Sequence, residues 1–191
     1  LSPSSAASDV YKRQEEGNAQ QIQQNIEEYG YTVAASLDQN KSKIGSLTEE
    51  ALVRLKGQAD CILIEADGAK RLPLKVPGEW EPVIPDFTDL VVGVIGMDAV
   101  GQMIRESCHR PERVAAFLNK EQTDPVTEAD VIRIAVSDKA LKKAVGQRPY
   151  KIFLNKTDLM GKYESAERIG KELQEQGVHA AWGSLQGREY Y

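Results

Sequence analysis

The stretch DCILIEADGAKR (60–71) runs an apolar tetrad into Glu65, Asp67 and Gly68, and then into two cations, Lys70 and Arg71. A carboxylate at the exit of a buried strand holds Mg²⁺ directly or through water. A glycine beside it lets a backbone N–H approach a terminal phosphate with no side chain in the way. This arrangement suits Mg²⁺ with nucleotide phosphate. A solvated acidic turn carries the same residue types, and spacing alone leaves both readings open.

A second group sits farther along. YKIFLN (150–155) reads as an apolar strand, and it runs into N-K-T-D, Asn155 to Asp158. That pattern is the base-reading motif of GTPase-like proteins: the aspartate accepts from the N1–H and 2-amino group of guanine, and the lysine stem lies along the ring. An Asp158 that merely caps the next helix is the structural alternative. After VHAAW (178–182) come Gly183, Ser184 and Leu185, where such folds set a backbone loop against the base. The phosphate-binding pattern G-x-x-x-x-G-K-[ST] does not occur. Gly161-Lys162 and Gly170-Lys171 are followed by Tyr163 and Glu172. In a P-loop protein that loop follows the first strand, and here it is expected upstream of position 1.

These groups need a scaffold that gathers strand ends. Five apolar segments read as strands: YTVAASL (31–37), DCILIEA (60–66), DLVVGVIG (89–96), YKIFLN and VHAAW. Between them, helical spacing marks 15–29, TEEALVRLKG capped by Thr48, PERVAAFL opened by Pro111, TEADVIRIAV, DKALKKAV and KYESAERIGKELQEQG. KSKIGSL reads as a loop, and AKRLPLKVPGEWEPVIP is too proline-rich for a helix. Strands apolar on both faces and separated by helices predict a three-layer α/β fold with a mainly parallel sheet. Ligands in such sheets bind beyond the carboxyl ends of the strands.

Composition agrees with a globular protein. The 191 residues are 41% hydrophobic and 28% charged, with net charge −5, which gives no general attraction to nucleic acid or anionic membrane. Cys61 and Cys108 lack disulfide or metal spacing and are expected to be reduced and buried, as in the cytoplasm. No apolar run reaches the roughly 20 residues of a membrane span. The opening LSPSSAASDVYKRQ (1–14) looks like translated adapter sequence, leaving 15–191 as a single α/β domain, a fragment of a longer protein.

EADGAKRLPLKVP, EPVIP, TDLVVGVIGMDAVG, CHRPE and LNKTDL together resemble the selenium-dependent hydroxylase accessory proteins, the YqeC-like P-loop NTPases. The resemblance runs from about Gly30 to the C-terminus. It implies a P-loop NTPase type of sheet lacking its first strand and P-loop, a nucleotide (GTP or ATP) and Mg²⁺. It also implies a step in maturing selenium-containing molybdenum hydroxylases, with the hydroxylase apoenzyme as a partner. Matched residue by residue, Glu65 and Asp67 hold Mg²⁺ and position water, and Gly68 senses the γ-phosphate. By the motif and strand-end readings above, Asn155, Lys156, Asp158 and Ser184 would bind the base. Lys70 and Arg71 would contact an anionic substrate or phosphate, or else balance Glu65 and Asp67 in a solvated turn. His109 and Arg110, from the HRPE that Glu112 completes, would face the same anionic substrate, a histidine before a helix being otherwise structural. Two other classes compete: a phosphoryl or nucleotidyl transferase acting on a small anion, and a non-enzymatic, nucleotide-gated binding protein that presents Trp80 to the apoenzyme. Trp80 is otherwise read as a packing anchor.

Overall fold

The structure is a computed structural model that describes residues 19–38, 43–45, 47–186 and 189–190; the leader at 1–14 lies outside them. The chain divides into two compact units between Ile64 and Glu65.

In the first unit, helix α1 (Ala19–Tyr29) carries Ile22 and Ile26 one turn apart. It stops at Gly30, whose φ of 77° is left-handed and whose N–H closes on Ile26 O at 2.8 Å. Strands β1 (Ser36–Asp38) and β2 (Lys43–Gly45) pair antiparallel with Leu37 opposite Ile44. The expected strand over 31–37 is therefore ladder only at its end, and its partner comes from the segment expected to be loop. Helix α2 (Glu49–Leu55) begins as predicted, with the Thr48 hydroxyl accepting from Ala51 N at 3.3 Å.

The segment Cys61–Ala66 is not a strand. Leu63 is 92% exposed, and Cys61, expected to be buried, is exposed as well. An apolar run becomes a buried strand only where a neighbour takes up its N–H and C=O groups. Among the described residues the hydrogen bond made here runs from Val83 N to Ala66 O, at 3.1 Å.

The second unit contains β3 (Leu74–Lys75), β4 (Val91–Gly96), a 3₁₀ turn at Met97–Ala99, α3 (Ile104–Ser107) and β5 (Cys108–His109). It continues through α4 (Pro111–Leu118), α5 (Glu128–Val136), β6 (Tyr150–Asn155), α6 (Lys162–Glu175), β7 (His179–Ser184) and β8 (Glu189–Tyr190). Strands β3 and β5 form a parallel pair, with Lys75 opposite His109. The larger sheet runs β4-β6-β7-β8, parallel across the first three strands and antiparallel at the last. The fold is thus α/β with parallel sheets, as expected. The registers pair Gly96 with Asn155 and Asn155 with Gly183, so three carboxyl ends share one edge.

The core lies on one face of this sheet. Ala166, Ile169 and Leu173 recur at helical spacing on α6 and are buried with Ile95, Ile152 and Leu154. The opposite row of β4 is open, with Val92 at 49% and Val94 at 54% exposure. Apolar residues on both faces of a strand therefore did not translate into cover on both faces among the described residues. DKALKKAV is also not a helix. Its bonds are irregular: Ala140 N closes on Ser137 O at 2.9 Å and Lys143 N on Ala140 O at 3.0 Å, three residues back, while Leu141 N reaches back to Ile134 O at 3.1 Å, and Ala144 turns left-handed (φ 60°) ahead of Gly146.

Gly170 fixes the fit of α6 on the sheet, because a Cβ there would collide with the Trp182 ring of β7. Gly170→Ala should therefore destabilise the fold by about 1–3 kcal/mol despite the better helix propensity of alanine. Urea denaturation checks this, and an unchanged or raised midpoint would contradict the packing described.

Candidate functional site

At the carboxyl edge, the side chain of Asn155 joins two loops. Its Oδ1 accepts from its neighbour Lys156 N at 2.8 Å and from Leu185 N at 3.1 Å, beyond the end of β7. Thr157 N donates to Gly183 O at 3.3 Å as a second tie. Asn155, Lys156 and Ser184 are thus brought together, with Ser184 buried and Asp158 exposed on the same loop as Lys156. Lys156 has a left-handed φ of 67°, uncommon for a side-chain-bearing residue. Its ammonium donates to Asp98 Oδ2 at 2.5 Å. Asp98 sits in the turn after β4 and was not among the sequence-predicted site residues. The signal was available: the rule that sites lie just past strand ends, applied to DLVVGVIGMD, points to it.

The EADG segment is built differently from the expectation. Glu65 is exposed and stands at the end of no strand. Asp67 is largely buried, and its carboxylate accepts from Lys75, a lysine only 6% exposed on β3. The Lys75 ammonium also donates to Gly68 O at 2.8 Å and to Glu81 Oε2 at 3.3 Å. Three acceptors for three N–H groups satisfy a buried ammonium, as its burial requires. Glu81 in turn receives both arms of Arg110, at 2.6 and 2.9 Å, and accepts from Gly78 N at 3.1 Å. The fork of Arg110 lies where a Cβ on Gly78 would be, which explains a glycine at that position.

This cluster sets the electrostatics. The bidentate Arg110 first, and then the Gly78 N–H and Lys75, hold the Glu81 carboxyl down at about 2 against its desolvation. Burial pushes the Asp67 carboxyl above its ordinary value despite Lys75. His109 is held below its ordinary value by burial and by the nearby charges of Lys75, Arg110 and Lys70. Lys70 and Arg71 are exposed, in successive left-handed conformations with φ of 50° and 64°.

Of the residues assigned to an anionic substrate, His109 and Lys70 share one positive region. Arg110 is engaged with Glu81, so its fork is not open to a substrate. Lys75 and Glu81 could not be placed from the sequence, where they read as part of a proline-rich excursion. For a divalent cation, Glu65 keeps an exposed carboxylate, whereas Asp67 would have to exchange Lys75 for the metal. No group of three or more His, Cys, Asp or Glu side chains gathers for a metal among the described residues. Trp80, read as a packing anchor, is instead 84% exposed. It stands on a turn that Lys143 grips through Gly78 O and Glu79 O, at 2.6 and 2.8 Å.

The second unit thus joins a parallel α/β sheet with tied loops at its carboxyl edge to a lysine-centred acid cluster in its EADG region. The chain belongs to the YqeC family: the family profile described as YqeC protein matches residues 1–112. It is 29% identical over 152 residues to the protein named "Uncharacterized protein YqeC" of Escherichia coli (strain K12), which covers 77% of this chain. The chain spans 59% of that relative's length. No solved structure matches. None of the described helices is long and apolar enough to cross a membrane.

The depressed Glu81 carboxyl has a pH signature. Its folded value of about 2 lies below the ordinary 4.5, so the stability it contributes is full above about pH 4.5 and lost as pH falls toward 2. Asp67, shifted the other way, offsets part of that loss. Denaturation midpoints measured from pH 6 to 2 should fall less steeply below 4.5 in Glu81→Gln than in the parent. Parallel curves for the two proteins would contradict the assignment.

Proposed function

We propose that this chain carries the base-binding edge of a nucleotide-dependent accessory protein in the maturation of selenium-dependent molybdenum hydroxylases, on a sheet of P-loop NTPase type. The observation that carries the reading is the Asn155 tie to Leu185 N, which joins the N-K-T-D and G-S-L loops at one sheet edge. A motif that only capped a helix would have no need to reach the next strand's loop. The amide Nδ2 of Asn155 and the exposed carboxylate of Asp158 remain to meet a base edge, and Asp158 can accept from two guanine donors that adenine lacks. Mg²⁺, when bound, would offset phosphate charge. Glu65 is the residue to hold it, with Gly68 beside the terminal phosphate and Asp67 joining where Lys75 gives way.

Isothermal titration of the chain with GMP and AMP tests the base preference. GMP should bind about tenfold or more tightly than AMP, and Asp158→Ala should abolish the difference, in line with the loss of a charge-assisted pair of hydrogen bonds. AMP binding as tightly as GMP would overturn the guanine assignment.

A second reading has its own observation. Trp80, 84% exposed on a turn held by Lys143, suits a nucleotide-gated binding protein that offers an aromatic anchor to the hydroxylase apoenzyme. Trp80→Ala should then weaken binding to purified apoenzyme by at least about 30-fold, as removal of an aromatic hot spot does, while GMP binding is unchanged. Equal apoenzyme affinity for both proteins would end this reading.

A further inference from the structure

The pair between Lys156 and Asp98 is more than a casual surface contact. Exposed Lys–Asp pairs contribute little, because water competes for both groups and salt screens them. Here Lys156 adopts a left-handed backbone at φ 67° while its ammonium meets Asp98 Oδ2 at 2.5 Å. The other carboxylate oxygen, Asp98 Oδ1, is out of solvent and has no hydrogen-bond partner, a condition few buried acceptors tolerate. That oxygen lies over Gly96, where a Cβ would collide with it and with Pro73. Pro73 is itself fixed there, since its carbonyl accepts from Gly96 N at 2.9 Å. The carboxylate therefore occupies a seat that only glycine leaves open.

The seat has a definite place in the sheet. Gly96 and Asn155 are register partners on β4 and β6, so Asp98 lies two residues beyond one carboxyl end and Lys156 one residue beyond the next. The ion pair spans the two strand ends beside the side chain that ties the base loops together.

We propose that Asp98 is a positioning residue of the base site. It anchors the Lys156 ammonium so that the aliphatic stem lies across the edge as an apolar rest for the purine, next to Asn155 and Asp158. The inference rests on the base-binding reading above. It assigns Asp98 no contact with the base: its effect on binding passes through Lys156.

The test is titration of the ¹⁵N-labelled chain with GMP, read at the amides of Lys156 and Leu185, for the parent, Asp98→Asn, Lys156→Met and the double variant. Asp98→Asn keeps the shape and removes the charge. It should weaken GMP binding about fivefold, the size of coupling expected between contacting charged groups. Lys156→Met keeps the stem without its anchor and should show a similar loss. In the Lys156→Met background, Asp98→Asn should add nothing. A purely structural pair would lower the melting temperature and leave GMP affinity unmoved, which overturns the proposal alone. An effect of Asp98→Asn that persists in the Lys156→Met background also overturns it alone. Absence of saturable GMP binding by the parent overturns the base-binding reading and this inference with it. Should Asp98→Asn fail to fold, Lys156→Met decides by itself, and unchanged affinity there counts against the proposal.

Discussion

The parallel ladders on both sides of β6 decide where the residues at the carboxyl edge of the second unit can stand. Parallel strands in register end together, and the loops that leave those ends emerge on the same side of the sheet. Gly96, Asn155 and Gly183 are aligned by those ladders. The Asn155 side chain can therefore reach Leu185 N, and Lys156 can reach Asp98, although 30 and 58 positions separate those residues along the chain. Disturbing the β6 register by one residue would turn its buried row outward and break both ties.

The Lys75 cluster obeys a different constraint. A buried ammonium has to find acceptors, and the chain supplies Asp67, Gly68 O and Glu81 from a segment with almost no regular structure. Irregular backbone here is organised by charge, with Gly78 left bare so that Arg110 can close on Glu81 from the other side. The run of two carboxylates and then two cations in EADGAKR suggests a local balance of charge, and the fold arranges the balance otherwise. The counter-charge for Asp67 is Lys75, delivered by a strand, while the adjacent Lys70 and Arg71 stay exposed.

How much of this was legible in the sequence depended on the range of the forces involved. VVGVIG, YKIFLN and HAAW were readable because apolar β-formers between helical segments have few alternatives. PERVAAFL carries Pro111 at its start, a signal that acts within one turn. DCILIEA has the same apolar character as those strands, but a strand is a relation between two segments, and no described neighbour pairs with it. DKALKKAV has good helix formers, and Ala144 still turns left-handed under tertiary context. At the site, Asn155 and Ser184 were legible from the strand-end rule. Lys75, Glu81 and Asp98 were not, because each gains its role from a partner that only the fold brings near.

The outer edge of β4 has no strand beside it among the described residues, while β6 is enclosed between β4 and β7. In a parallel ladder, a strand directs alternate N–H groups to its two sides, so an edge strand shelters only half of them. Deuterium uptake along 91–95 should therefore alternate residue by residue between slow and fast, with Gly96 kept slow by its bond to Pro73 O, whereas uptake along 150–155 should be uniformly slow. The two strands would be read as one pairing and two different clocks, and any element that later covers the β4 edge would show itself by bringing the fast set into step with the slow.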